Sequence, residues 1–218
     1  MLHKLKQLGI IVMLLAAPIF FFTSCLKDSD ETIVLPFPYG KIPYSVIPQD
    51  LQDSLRAHGF NINEGTEPPF IEGHYLSSPH KLTYASDNYA NPNFYNVYMT
   101  MSGQTTRNRV SYLETQGVFQ DASVRGRSIQ GCVIGKENFF TMYCYQVQSE
   151  VEQQDTLWSC KTATVVSGIM TDRGIANCQY AQVVLDTFAS NSYYASRLPG
   201  EGTYRIFHDF DSLAVNNW

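Results

Sequence analysis

Hydrophobic and polar positions along the 218-residue chain follow three patterns in succession. Leu8 to Phe22 is fifteen residues without a charge, preceded by His3, Lys4 and Lys6 and followed by small polar residues before Cys25. That is the layout of an export signal; a membrane-spanning helix needs about 20 apolar residues, and Pro18 interrupts this run. A second pattern has a period of four. Ser45 precedes "VIPQDLQDSLRAHG", in which Ile47, Leu51 and Leu55 share one face. Pro48 lies in the first turn, Asp50 and Asp53 toward the positive end, and Gly59 is placed to terminate in the left-handed region. This predicts a short amphipathic helix docked through its leucine face.

Beyond "EGTEPP" the period drops to two. Segments at 70–76, 94–102, 108–120, 124–135, 139–149, 156–168, 174–186 and 202–210 read as strands, separated by turn clusters such as "SGQTT", "GKEN", "EQQD" and "TDRG". In the second of these, Tyr95, Val97, Met99 and Met101 alternate with Phe94, Asn96, Tyr98 and Thr100. In 174–186, Ile175, Ala181, Val183 and Leu185 oppose Cys178, Tyr180 and Val184. Both faces are thus partly apolar, and the short connections favour antiparallel neighbours in a meander. The expected fold is all-β: an eight-stranded up-and-down barrel over 44–218, preceded by the short helix, with a two-sheet sandwich as the alternative.

Two stretches resemble known families. "FTSC", ending at Cys25, resembles the lipobox of bacterial lipoproteins, in which the cysteine is lipidated and becomes the first residue. The cluster after it, "LKDSDE", is similar to those that mark Bacteroidetes lipoproteins for the cell surface. The resemblance implies a signal peptide at 1–24 and a lipidated tether from Cys25, which runs to 43 because Pro36, Pro38 and Pro43, with Gly40, bar helix interior and central strand. It also implies an outer-membrane lipoprotein displayed on the cell surface, or else facing the periplasm, with the membrane as partner through Cys25. One acyl chain binds membranes marginally, at about 0.8 kcal/mol per buried CH₂, so the two or three chains implied make a lasting anchor. The order of short helix, "EGHY" with Gly73 and Tyr75 in an opening strand, and seven further strands resembles lipocalin-like barrels over about 69–210, with Tyr75 standing where that family carries tryptophan.

Charge narrows the partners. Loss of Lys4 and Lys6 with the signal leaves 13 basic against 20 acidic residues, a formal −7. No basic stripe of the kind nucleic acid requires is implied. With Cys25 assigned to lipid, Cys132, Cys144, Cys160 and Cys178 remain as disulfide candidates in an exported chain. A hairpin turning at 152–155 would set Cys144 and Cys160 side by side; four reduced, buried thiols are the alternative. Their spacing has no paired CxxC, so no zinc site is read.

Catalytic signatures such as GxSxG, HExxH or a P-loop do not occur, and the chain reads as a non-enzyme without metal or cofactor. His74 and His80 stand six apart, and His208–Asp211 ("HDFD") sets two carboxylates beside an imidazole. Ordinary strand-end polarity accounts for both. What stands out is the aromatic content, 14 Tyr and 13 Phe. Tyr95, Tyr98, Tyr112, Tyr143, Trp158 and Tyr180 are the ligand-binding candidates. The lipocalin-like resemblance implies that they grip a small apolar or amphipathic ligand inside a barrel. The alternative is a structural or glycan-contact subunit of a surface assembly, with rings exposed on its outside.

Overall fold

The computed structural model describes residues 46–104, 109–110, 112–118, 123–152 and 155–216. The signal, Cys25 and the tether lie outside the described residues, as do Ser45 and the side chain of Tyr112.

The helix forms as its period predicts. α1 (Gln49–Ala57) starts directly after Pro48 and ends before Gly59, whose φ of 86° is the left-handed conformation expected of a stop signal. Ile47 and Leu55 are fully buried. Gln52, on the same side, is buried too, and its Nε2 donates to the carbonyl of Ile47 at 2.8 Å.

Twelve strands follow among the described residues. β1 (Thr66–Glu67) and β5 (Arg109–Val110) are two-residue additions to β7. The main strands are β2 (Gly73–Ser77), β3 (His80–Ala85), β4 (Val97–Ser102), β6 (Tyr112–Val118), β7 (Ser123–Lys136), β8 (Phe139–Glu152), β9 (Asp155–Thr171), β10 (Gly174–Ala189), β11 (Tyr204–Asp209) and β12 (Leu213–Asn216). A one-turn helix, α2 (Ser192–Ala195), lies between β10 and β11. All-β is therefore the class.

Hydrogen bonding runs β12-β2-β4-β6-β7-β8-β9-β10, and β10 pairs again with β12, so eight strands form a ring. Every neighbouring pair in it is antiparallel. Such closure leaves no strand edge within the ring available for pairing with another chain. β10 changes partner along its length, pairing with β12 through Gly174–Ala176 and with β11 through Gln179–Val183. β11 in turn holds β3. Residues 73–85 thus run against 204–216 as two interrupted strands, and the amide of Phe210 bridges the break to the carbonyl of Pro79.

Two packed layers lie on the two faces of this sheet. One takes residues from every strand of the ring, among them Tyr75, Met99, Leu113, Val133, Met142, Val166, Tyr180 and Ala214, and so occupies its interior. The other joins Ile47, Leu55 and Phe60 to Cys132, Tyr143, Val165, Val183 and Ile206, and lies outside the ring beneath α1. This explains why the sequence of β7 to β10 is apolar on both faces. The segment after α1 is stitched to the same outer wall: the Asn61 amide donates to Gln179 Oε1 (2.7 Å) and Asn63 Nδ2 to the carbonyl of Phe140 (3.0 Å).

Candidate functional site

Of the six predicted aromatic residues, the five whose side chains are described are distributed over both faces and do not gather round one opening; the side chain of Tyr112 lies outside the described residues. Tyr180 is buried inside the ring, and Tyr143 is buried outside it, under the helix layer. Tyr95 folds inward over Gly117; a Cβ at that glycine would stand 1.8 Å from the tyrosine ring. Trp158 is half-buried, its indole N–H donating to Glu150. Tyr98 alone of the five described points outward, 40% exposed.

The interior is filled by its own side chains. Phe140 and Met142 are 0% exposed and Met99 and Met101 1%. Toward one end the packing becomes polar: Gln146 Nε2 donates to Thr115 Oγ1 (3.0 Å), the Tyr180 hydroxyl to Gln146 Oε1 (2.8 Å), and Gln182 Nε2 to the Tyr180 hydroxyl (3.0 Å). Gly126 makes room for this cluster, because a Cβ there would meet Thr115 Oγ1 at 2.4 Å and Gln146 Nε2 at 2.7 Å. A buried network satisfied from within specifies a packing arrangement rather than a vacant binding site.

The four cysteines are separate buried thiols. Their expected pairing across the β8–β9 hairpin is corrected by the register, which sets Cys144 opposite Thr164 and Cys160 opposite Gln148. The two cysteines are thus four residue pairs apart along the ladder. Burial pushes the Cys132 thiol up to about 12 and that of Cys160 to about 11, and raises Cys144 and Cys178 further, which leaves all four inert as nucleophiles.

A groove of about 640 Å³ opens instead on the outer surface of β4, β6, β7 and β8. Strand register builds its floor as a grid. One row reads Tyr98, Gln116, Arg125, Ser149 across the four strands. The next, two residues along each strand, reads Thr100, Glu114, Arg127, Val147. Neighbouring strands lie about 4.8 Å apart and alternate residues about 6.7 Å apart, so the grid is a shallow surface roughly 14 Å across. Arg127 Nε stands 3.7 Å from Glu114 Oε1, and both side chains are largely exposed. The row continues onto β2, where His74 Nδ1 meets Thr100 Oγ1 at 3.0 Å.

No protein-family model matches the chain, and no curated protein or solved structure is significantly similar to it. The geometry of this surface is accordingly what a functional reading rests on.

The groove combines a ring face with amide, hydroxyl, guanidinium and carboxylate groups, a mixture suited to stacking and multiple hydrogen bonding. Of its residues only Tyr98 is among the aromatic candidates read from the sequence. Glu114 with Gln116, and Arg125 with Arg127, each stand two apart, and that spacing places each pair on one face of its strand.

The histidine and carboxylate candidates lie elsewhere. His80 is buried inside the ring, stacked on Phe207 with centroids 4.9 Å apart, and its Nδ1 meets Ser77 Oγ at 3.0 Å. Burial, assisted by His208, lowers its pKa to about 3. Asp209 Oδ2 accepts from the Ser78 amide at 3.0 Å; burial first, then the neighbouring Asp211 carboxyl, raises its pKa to about 6. His74 is on the outer face with Thr100 and separate from this group. Among the described residues no three His, Cys, Asp or Glu side chains gather as a metal site.

Proposed function

We propose that the protein is a noncatalytic, lipid-anchored envelope lipoprotein that contacts carbohydrate through the outer groove of its β-barrel. The observation that carries this reading is the grid: an exposed Tyr98 ring at the corner of two rows of polar side chains, set by antiparallel register on a rigid wall. A sugar offers an apolar ring face bounded by hydroxyls, and an aromatic ring beside amide and guanidinium donors matches both. The interior supports the same choice, since Met99, Phe140, Met142 and Tyr180 occupy the space an apolar ligand would need. Cys25 is the proposed attachment to the outer membrane, and the residues after it the proposed tether to the cell surface.

The test is to screen full-length lipoprotein, extracted from membranes in detergent, against a glycan panel. The expected result is binding that falls by roughly tenfold or more in Tyr98→Ala, as for an aromatic anchor. A protein partner that co-purifies and is lost with Tyr98→Ala, in the absence of any glycan binding, would replace this reading with a protein-assembly surface. Mass spectrometry of the mature N-terminus checks the anchor separately: a chain retaining Met1 and carrying no lipid at Cys25 would refute it.

A further inference from the structure

We infer that the carbohydrate taken by the outer groove is acidic, carrying carboxylate or sulfate groups that Arg125 recognises. This rests on the carbohydrate reading above and adds the ligand's charge to it.

Two guanidinium groups and one carboxylate share the grid. Register puts Glu114 opposite Arg127, and the 3.7 Å ion pair between them neutralises that half of the surface. Arg125 lies in the other row, with Gln116 on one side and Ser149 on the other, both neutral. Among the described residues no carboxylate forms an ion pair with it, and it lines the groove in the same row as Tyr98. The site therefore presents one uncompensated positive charge on a chain whose formal net charge is −5.

That contrast is selective. A polyanion is repelled by most of an acidic surface and attracted where a cation is locally exposed. Guanidinium also offers planar paired donors matched to carboxylate or sulfate oxygens, which a neutral hydroxyl cannot match in strength. Gln116 and Ser149 flank it with groups able to bond the neighbouring ring hydroxyls. Tyr98, two strands away in the same row, is placed for the face of an adjoining sugar.

The experiment is calorimetric titration of the full-length lipoprotein with an oligogalacturonate and, in parallel, its fully methyl-esterified form. A second arm uses a sulfated oligosaccharide and its desulfated form, which distinguishes the two anionic groups. In at least one arm the charged form binds roughly tenfold tighter than the neutral one, a preference that shrinks at high salt. Arg125→Gln abolishes that preference while residual binding of the neutral form persists, and Tyr98→Ala weakens both forms alike. Equal affinity for charged and neutral forms in both arms overturns the inference but leaves the carbohydrate reading standing, as does a preference that survives Arg125→Gln. No binding of any saccharide on the panel overturns both. Circular dichroism of Arg125→Gln should match the parent, since the side chain is exposed and outside both packed layers.

Discussion

Met99 and Tyr98 are adjacent in the chain and face opposite worlds. Met99, with Leu113, Phe140 and Met142, belongs to an interior in which each side chain is closed off by others of the same protein. Tyr98, with Glu114, Arg125 and Arg127, belongs to a surface whose polar groups turn toward solvent. The same strands build both faces, and the period of two keeps them apart. Specificity of fold is thus concentrated inside and the proposed recognition surface lies outside, so substitutions on the two faces should fail differently.

The sharpest break comes from the interior. Phe140→Ala removes a ring that is 0% exposed and leaves a cavity bounded by strands fixed in a ring, so relaxation is limited. A loss of about 3–5 kcal/mol is expected, a large part of the 5–15 kcal/mol typical of a folded domain. Urea denaturation measures it. A loss under about 1 kcal/mol would mean that the interior is loosely filled and open to a ligand after all.

The polar end of the interior should respond less strongly, in a way that tests whether its bonds act as a unit. Gln146→Leu keeps the volume but strips the acceptor of the Tyr180 hydroxyl and the donor to Thr115, at about 1–3 kcal/mol. Adding Tyr180→Phe removes the hydroxyl whose proton has lost its acceptor, at the expense of the bond that it accepts from half-buried Gln182. The double variant is expected to be more stable than Gln146→Leu alone, and additive losses in the same denaturation series would show that the network is not coupled.

A third break uses pH. His80 is neutral in the folded state with a pKa near 3, whereas the unfolded residue takes its proton below about 6.5. Its contribution is intact above pH 6.5 and is lost as pH falls from there toward 3, by about 1.4 kcal/mol for each pH unit. His80→Phe preserves the stack on Phe207 and removes this loss, so the stability difference between variant and parent should widen on acidification. Asp209 works in the opposite sense: its pKa is raised to about 6, so its contribution is present below about 3.8 and lost as pH rises through 6. Asp209→Asn should therefore steepen the acid loss. A parent and a His80→Phe variant with parallel pH profiles would show that the imidazole is not sealed in the interior.

The eight strand segments were legible because alternation is a local signal, and the segment around Met99 has the two faces its pattern implied. The misses have physical reasons. β3 follows Pro79, a residue that ordinarily ends a strand reading, and β12 is four residues long, too short for a period to declare itself. In β10 a strict period of two sets Ile175 opposite Cys178 and Tyr180, yet all three pack inside the ring. The register shifts between Ala176 and Gln179, where Asn177 has a φ of 49°, and such a bulge reverses the phase without any apolar signature. Most of the groove escaped for a different reason. That Arg125 and Arg127 share a face can be read from their spacing; that Gln116 and Ser149 flank the first of them depends on which strands pair, and in what register.

The smallest expected effect on stability belongs to the residue with the largest proposed effect on binding. Tyr98→Ala truncates a side chain 40% exposed, outside both packed layers, and none of the fold's buried bonds passes through it. A change within about 0.5 kcal/mol is expected in urea, as for a surface position without a structural task. Some of the ring does cover the strand beneath it, because its row neighbours Leu76 and Gln116 flank it on β2 and β6, so the change need not be zero. The two readouts decide together. Loss of saccharide binding with unaltered stability assigns Tyr98 to recognition, whereas a stability loss approaching that of Phe140→Ala would make the ring part of the wall and dissolve the division between the two faces.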